Sequence, residues 1–280
     1  MGRGSRFVLA CALPMAAGCA RDRQAPVESG PTVEPAVAPS VAPIVAPAVT
    51  PREVQVGSSV RGEPIVLYRF GEADSAPTLI IAAIHGDEPA ALFVGRRLVE
   101  YLRENPDAAK GKPVAVIPVA NPDGVAQRSR TNANGVDCNR NFPASNWKLT
   151  RAGRNHAGLS PASEPETRAI ISAIEMLRPA RVVSIHSPLR CNNHDGPEEA
   201  AALARLMAQY NGYPVVGSIG YATPGSFGTW AGSDLGIPVV TLELPPGTPG
   251  ERAWQENRDA LLAVIQSPLA ASHDSSASNP

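Results

Sequence analysis

The chain is poor in aromatic residues, in net charge and in long apolar runs. Aromatic side chains are 5% of its 280 residues, too few to suggest the stacking platforms that bind single-stranded nucleic acids. The formal net charge is −1, from 25 basic and 26 acidic side chains, so no general attraction to nucleic acid or an anionic surface is expected. No uninterrupted apolar run reaches the roughly 20 residues of a membrane span. These absences exclude a polytopic membrane protein and disfavour a nucleic-acid partner.

The first residues follow the order of a secretion signal. A basic start precedes an apolar run from Phe7 to Met15, and small residues then lead to Cys19. A cysteine in this place resembles the lipobox of bacterial lipoproteins, where the thiol is acylated and the preceding peptide is removed. We therefore expect a lipoprotein signal over residues 1–18 and a periplasm-facing protein that is anchored to the bacterial membrane only through Cys19. A plain signal peptide is the alternative.

Proline dominates the segment behind this signal. The last five prolines of the segment recur every four residues, at Pro35, Pro39, Pro43, Pro47 and Pro51. Proline at that spacing stops helices and sheet ladders and favours an extended spacer. We therefore predict an anchor and linker over 19–52, a catalytic domain over 53–266 and a disordered polar tail over 267–280.

Strand-like and helical patterns alternate within 53–266. An opening hairpin is expected over 54–70, and apolar runs predict four further strands: 78–84, 113–119, 181–185 and 237–242. Helices are predicted over four segments: 89–102, 166–177, 198–210 and 254–265. Ser163 is the predicted cap of the second of these helices. The pattern indicates an α/β fold, with a mixed, mostly parallel sheet sandwiched between helices.

Ionisable residues stand where three predicted strands end, at His85, His186 and Glu243. Ligands of open α/β sheets bind at the carboxyl ends of the strands. His85 and Glu88 also have the spacing His-x-x-Glu, which lets an imidazole and a carboxylate converge on one ion across a strand-to-helix turn. Zinc suits such a nitrogen and oxygen set, and catalytic zinc uses three protein ligands. We therefore predict one Zn²⁺ per chain, held by His85, Glu88 and His186.

A segment between these ligands, Asn-Arg-Asn-Phe-Pro at 139–143, is the most specific motif of the chain. Together with His-x-x-Glu before it and the His-Ser and Glu-Leu pairs behind it, it resembles the zinc metallocarboxypeptidases over about residues 60–265. Four shorter segments are similar to the murein tripeptide amidase branch of that family: 121–124, 163–167, 224–230 and 241–245.

The resemblance implies a zinc carboxypeptidase-like fold and a murein peptide as the substrate. It also implies hydrolysis of the amide between γ-D-glutamate and meso-diaminopimelate by water, with zinc and a glutamate base. The branch includes cytoplasmic recycling enzymes, and the export signal of this chain departs from that pattern.

Amide hydrolysis gives distinct tasks to the remaining polar residues. Glu243 follows an apolar run and can take the water proton and pass it to the leaving nitrogen. Arg130 can stabilise the oxyanion, and the Arg-x-Asn spacing of the family favours it over its rival Arg128. Asn139 and Arg140 can bind a substrate carboxylate, the arginine through a bidentate fork.

Two further residues are candidates for binding the substrate. The resemblance implies a mobile phenol that caps the substrate, and Tyr221 is the candidate for it. Asp195 is the candidate for the distal ammonium of diaminopimelate, although a plain turn residue in Asp-Gly-Pro is an equal alternative. Asp137 and Glu164 are expected to brace arginines.

The two cysteines of the catalytic domain, Cys138 and Cys191, are expected to be buried free thiols, although export would also permit a disulfide. The peptide bond between Ser187 and Pro188, just behind the third predicted ligand, is a candidate for the cis form, which the family has at this place.

Two other functions stay open at this point. One is a different enzyme on the same scaffold, either a general exported metallocarboxypeptidase or a deacylase of the succinylglutamate type. The other is a non-catalytic lipoprotein that binds the cell wall, which the retention of both ligand histidines and Glu243 disfavours. The sequence does not indicate an oligomeric state.

Overall fold

An eight-stranded mixed sheet forms the centre of the fold. The computed structural model describes residues 50–71 and 76–268, all of which belong to one compact unit of the chain. The predicted signal peptide, Cys19, the linker up to residue 49 and the tail from residue 269 lie outside the described residues. The strands in chain order are β1 (Arg52–Ser58), β2 (Pro64–Phe70), β3 (Thr78–Ala82), β4 (Val114–Ile117), β5 (Arg181–His186), β6 (Cys191–Asp195), β7 (Val215–Val216) and β8 (Val239–Glu243).

The strand order across the sheet is β1-β2-β4-β3-β5-β8-β6-β7. The four central strands β4, β3, β5 and β8 are mutually parallel, whereas β2 joins β4, and β6 joins β8, in antiparallel fashion. The central strands are buried almost throughout, which explains their nearly continuous apolar sequences. The predicted mixed, mostly parallel sheet is therefore confirmed.

Helices cover both faces of this sheet. They are α1 (Pro89–Glu104), α2 (Pro122–Gln127), α3 (Pro165–Leu177), α4 (Glu198–Asn211) and α5 (Gly250–Gln266). One core contains apolar residues of α1, α4 and α5 together with Ile80, Val183 and Val240 of the sheet. The other contains α3, β1 and β2 residues with Leu79 and Val182. Among the described residues, no helix combines the length and the apolar character that crossing a membrane requires.

One prediction at the level of local structure was wrong, and two strands were not predicted. Ser163 does not cap α3, since the cap position belongs to Glu164 and makes no side-chain capping bond. The Ser163 hydroxyl instead accepts from Asn141 and donates to Glu164. Strands β6 and β7 were also missed, because β6 has the polar sequence Cys-Asn-Asn-His-Asp and shows no apolar alternation. Asn192 in β6 is nevertheless fully buried, and its amide exchanges hydrogen bonds with the amide of Asn211.

The loop between β3 and α1 is fixed by a close approach to α2. A Cβ atom on Gly86 would stand 1.9 Å from the carbonyl carbon of Gly124, so a side chain cannot fit there. The side chain of Asn121 accepts from the Gly124 amide and donates to the carbonyl of Ile84, the residue before His85. Pro89 occupies the first turn of α1, a position for which its fixed φ is suited. The His85–Glu88 segment is therefore held at both ends.

Candidate active site

Three neighbouring strands deliver the central residues of the site. His186 ends β5 and is the register partner of Glu243, which ends β8. His85 follows β3, the neighbour of β5 on the other side, and Glu88 is the residue that caps the start of α1. Because these strands are parallel, their carboxyl ends lie at one edge of the sheet. The structure thus brings His85, Glu88, His186 and Glu243 together.

The side chains of His85, Glu88 and His186 converge on one point. The Nδ1 atoms of the two histidines are 3.1 Å apart. Glu88 places Oε1 at 2.7 Å from Nδ1 of His85 and Oε2 at 3.1 Å from Nδ1 of His186. All three residues are buried, and their potential ligand atoms lie within 4.8 Å of one another. Two imidazole nitrogens and a carboxylate at these separations form a donor set of the kind that holds a divalent metal ion.

When no metal ion is bound, the neighbouring carboxylates favour the protonated form of His85. Burial disfavours the imidazolium form of His85, yet the carboxylates of Glu88 and Asp137 outweigh burial and raise the pKa of His85 to about 9. Burial also disfavours the Glu88 anion, but His85 and His186 hold its pKa well below the usual range. The buried carboxylate thus demands a positive partner, which a proton or a metal ion can supply.

Asp137 positions His85 of the cluster through its ring nitrogen Nε2, a role that was not predicted. Its Oδ1 lies 3.0 Å from Nε2 of His85 and therefore directs Nδ1 of that ring toward Glu88. Its Oδ2 accepts a hydrogen bond from Nε of Arg130 at 2.9 Å and forms an ion pair with Nη2 at the same distance. Burial opposes the Asp137 anion, but His85 and Arg130 keep its pKa well below its usual range. Its place directly before the Cys-Asn-Arg-Asn segment was the only signal in the sequence, and only its contact with an arginine was expected.

The predicted brace of Glu164 to an arginine is wrong. The carboxylate of Glu164 accepts from the side-chain amides of Asn132 and Asn134, because both asparagines lie in the turn below it. The nearby guanidinium of Arg168 donates instead to the backbone carbonyls of Ala162 and Ser163.

Arg130, and not Arg128, reaches the cluster of His85, Glu88 and His186. Nε and Nη2 of Arg130 contact Asp137. Its third nitrogen, Nη1, lies 3.2 Å from Nδ1 of His85 and 3.7 Å from Oε1 of Glu88. Its guanidinium therefore faces the place where charge develops on an oxyanion bound next to the cluster. Arg128 lies outside the catalytic cleft, at the exposed end of α2.

Glu243 stands beside the cluster without joining it. Its side chain is buried, and its Oε2 accepts a long hydrogen bond of 3.4 Å from the backbone amide of Leu189. Burial and the charge of Glu88 raise its pKa, while His186 lowers it in part. A carboxylate with a raised pKa that is not a member of the donor set is suited to accept and return a proton.

Nine residues of the site were predicted from the sequence. All nine of them line a single cleft of about 470 Å³. The backbone amide of Phe227 donates to Oδ1 of Asn139 at 2.8 Å, which turns the amide nitrogen of Asn139 outward. Arg140 is buried, and its Nη1 donates to the carbonyl of Asn139 at 2.7 Å. Both side chains are thereby pre-positioned on one wall of the cleft. Tyr221 stands at the rim, with 57% of its surface exposed.

Asp195 lies deeper in the same cleft, under a π-helical turn at Gly228–Asp234. A Cβ on Gly228 would lie 2.4 Å from its Oδ2, so glycine makes room for the carboxylate. Asn193 donates its amide to Asp195 at 3.0 Å, and burial raises the pKa of Asp195. The Oδ1 atom of Asn193 is buried and has no hydrogen-bond partner among the described residues. This end of the cleft thus presents two acceptors to whatever enters it.

Two other expectations are confirmed. Cys138 and Cys191 are buried free thiols. Burial raises the pKa of both, that of Cys191 to about 11, so both are protonated near neutral pH. The peptide bond between Ser187 and Pro188 is cis.

Comparison with known proteins connects this site to a family. A family model described as zinc carboxypeptidase matches residues 49–190. Murein peptide amidase A of Escherichia coli K12 is 39% identical over 206 residues, which cover 68% of this chain and 80% of that protein. Murein peptide amidase A of Vibrio campbellii is 36% identical over 222 residues, or 75% and 86% of the two chains.

Solved structures agree with these relatives. The crystal structure of murein-tripeptide amidase MpaA from Escherichia coli O157 matches with a TM-score of 0.65 and 33% identity, over 79% of this chain and 98% of that one. Carboxypeptidase A from Helicoverpa armigera matches with a TM-score of 0.67 at 20% identity, over 77% of this chain and 68% of that one, and so shares the fold.

Metal binding to this cluster should release a proton. Below its pKa of about 9, His85 carries a proton that competes with the metal, so metal affinity should rise with pH up to that value. Calorimetric titration with Zn²⁺ at pH 7, in buffers of different ionisation enthalpy, should give a stoichiometry of about one and a release of about one proton. His186→Ala should abolish tight binding. Affinity that does not change between pH 6 and pH 9 would contradict the proton competition.

Proposed function

The chain belongs to the zinc carboxypeptidase family, and we propose that it is an exported murein peptide amidase that hydrolyses the amide between γ-D-glutamate and meso-diaminopimelate. The observation that carries this proposal is the single cleft in which the buried cluster of His85, Glu88 and His186 adjoins both Glu243 and Arg140. The similarity of the chain to two murein peptide amidases and to a murein-tripeptide amidase structure supports the choice of substrate.

One zinc ion per chain is the metal that we propose for the cluster. Two histidines and one glutamate form the ligand set, and the family is named for its zinc. When bound, zinc supplies Lewis acidity, which polarises a carbonyl and lowers the pKa of water. Asp137 contacts Nε2 of His85 and leaves Nδ1 toward Glu88, so Nδ1 would be the nitrogen that holds the ion.

Glu243 transfers the proton, and Arg130 stabilises the negative charge that develops on the carbonyl oxygen. Glu243 takes a proton from the attacking water and returns it to the leaving nitrogen, so it ends the cycle in its starting state. Arg130, held by Asp137, presents Nη1 to the oxygen of the scissile carbonyl as negative charge develops on it. The rigid pairing with Asp137 means that this donor needs no rearrangement during the reaction.

The wall with Asn139 and Arg140 binds the leaving group. Diaminopimelate has a free carboxylate next to the amide that is cleaved, and a buried arginine can bind it through two parallel hydrogen bonds. The distal end of the same residue carries an ammonium group. Asp195 and the unpartnered Oδ1 of Asn193 provide acceptors for it at the far end of the cleft. Tyr221, at the rim, is placed to close over the substrate.

The place of action that we propose is the periplasmic side of the bacterial membrane. The basic start, the apolar run from Phe7 to Met15 and the small residues before Cys19 support export and lipid attachment. A proline-rich linker of this length would let the catalytic domain reach peptides away from the membrane.

Replacing Glu243 by glutamine should separate metal binding from turnover. The variant keeps the size of the side chain but loses the base, so kcat on L-Ala-γ-D-Glu-diaminopimelate should fall by about 10²- to 10⁴-fold. Zinc content and thermal stability should stay unchanged. Glu175→Gln, on the exposed side of α3, is the matched control and should retain full activity. Near-normal kcat in Glu243→Gln would assign the proton transfer to another group.

Conversion of the carboxylate next to the scissile amide into a carboxamide should remove most of the activity. Because this leaves the buried Arg140 without its anion, kcat/KM should fall by the equivalent of roughly 2–4 kcal/mol. Arg140→Gln should lose the distinction between the two substrates. Equal cleavage of both substrates by the wild-type protein would rule out recognition of this carboxylate.

Removal of the distal amino group of the substrate tests Asp195. The wild-type protein should prefer diaminopimelate over 2-aminopimelate at this position by about 10- to 100-fold in kcat/KM. Asp195→Asn should reduce this preference and leave cleavage of the aminopimelate peptide nearly unchanged. Asp259→Asn on α5, which lies outside the cleft, is the control. A preference that persists in Asp195→Asn would place the ammonium elsewhere.

Lipid attachment at Cys19 should determine whether the protein is found in the membrane fraction of the cell. In cells that express the full chain, the wild-type protein should sediment with membranes and incorporate labelled fatty acid, whereas Cys19→Ser should do neither. A Cys19→Ser protein that remains in the membrane fraction would refute anchoring through this residue.

A further inference from the structure

A second cavity, of about 680 Å³, adjoins the catalytic cleft at Arg130. It shares Arg130 and Arg154 with that cleft, and Arg128 and His156 also line it. We call the part lined by these four residues the basic arm. None of the residues assigned to the leaving group, namely Asn139, Arg140, Asp195 and Tyr221, lines this cavity. The basic arm therefore extends from the metal cluster in a direction of its own.

The basic arm carries an excess of positive charge. Arg130 is neutralised by Asp137, and Arg154 contacts Oδ2 of Asp87 at 2.9 Å. Asp87 is the only carboxylate among the described residues that line the cavity. Arg128 forms no ion pair with any described residue, and a left-handed backbone conformation at the end of α2 holds it there.

Polar atoms of the arm are also short of partners. Nδ1 of His156 and Oδ1 of Asp87 are both buried and have no hydrogen-bond partner among the described residues. Arg154 itself is held by Asp87 but keeps 67% of its side-chain surface exposed, so its remaining N–H groups can reach a ligand. Oδ1 of Asp87 can only accept a hydrogen bond and does not favour an anion. The guanidinium groups of Arg154 and Arg128 do favour one, since a carboxylate matches the guanidinium fork.

The proposed substrate has an anion on this side of the scissile bond. With diaminopimelate on the wall of Arg140, the acyl part of the substrate must leave the metal cluster in another direction. In a γ-linked glutamyl residue, that acyl part carries a free α-carboxylate, separated from the scissile carbonyl by three carbon atoms. An α-linked peptide has a free carboxylate at this distance only when its acyl residue is itself glutamate, because other side chains carry no carboxylate three carbon atoms from the scissile carbonyl.

We propose that Arg154 and Arg128 bind the free α-carboxylate of the γ-linked glutamyl residue and thereby select γ-glutamyl substrates over peptides whose acyl residue has no carboxylate at this distance. This inference rests on the proposed function and names the residues that recognise the acyl side of its substrate. Asp87 acts as a positioning residue, which holds Arg154 over the cleft through their ion pair.

The test compares two substrates that differ at one group. One is L-Ala-γ-D-Glu-diaminopimelate, and the other has the glutamyl α-carboxylate converted into a carboxamide. The wild-type protein should prefer the free carboxylate by about 10- to 100-fold in kcat/KM, mainly through KM. Arg154→Gln with Arg128→Gln should lose this preference and still cleave the carboxamide substrate at the wild-type rate. Arg151→Gln, an exposed arginine of the same loop that lines neither cavity, is the matched control and should keep the preference.

Three outcomes would overturn the inference. Equal cleavage of both substrates by the wild-type protein would show that the carboxylate is not recognised. An equal loss on both substrates in the double variant would indicate a structural role for the arginines. If the wild-type protein cleaved neither substrate, the proposed function would fall and this inference with it, whereas the first two outcomes leave the proposed function intact.

Discussion

The carboxylate of Glu88, buried between the imidazoles of His85 and His186, is the interaction on which the rest of the site depends. A buried anion that accepts from two imidazoles needs a compensating cation, and the separations of 2.7 and 3.1 Å leave that cation one place to bind. The sheet produces this geometry, because β3 and β5 are adjacent and parallel and α1 begins at Glu88 itself. Gly86 and Asn121 then fix the intervening loop against α2.

Two regions of different chemistry meet at Arg130, beside the cluster of His85, Glu88 and His186. On one side, Arg140, Asn193 and Asp195 supply a cation and two acceptors, which we propose to bind the two charged ends of diaminopimelate. On the other side is the basic arm, in which we propose that Arg128 and Arg154 bind an anion. Glu243 lines only the first region and Arg130 lines both, and we propose that these two residues act on the scissile amide. Under this proposal, selectivity and catalysis use separate residues around one centre.

Most of the central fold could be predicted from the sequence, because strands that are buried on both faces leave continuous apolar runs. The same logic located His85, His186 and Glu243, since an ionisable residue at the end of such a run is unusual. Strand β6 could not be found in this way, because its sequence is polar and the buried amide of Asn192 is satisfied by Asn211, 19 residues further along the chain. The bond between Asp137 and His85 likewise spans 52 residues and leaves no local pattern.

The most direct test of the central claim is an analysis of products by mass spectrometry. L-Ala-γ-D-Glu-diaminopimelate should be incubated with the zinc-loaded protein in water enriched in ¹⁸O. We expect free diaminopimelate and the dipeptide L-Ala-D-Glu, with one ¹⁸O atom in the new γ-carboxylate of the dipeptide, because water attacks the γ-glutamyl carbonyl. Release of alanine, or an intact tripeptide after long incubation with fully loaded protein, would contradict the assignment of this site as a γ-D-glutamyl-diaminopimelate amidase.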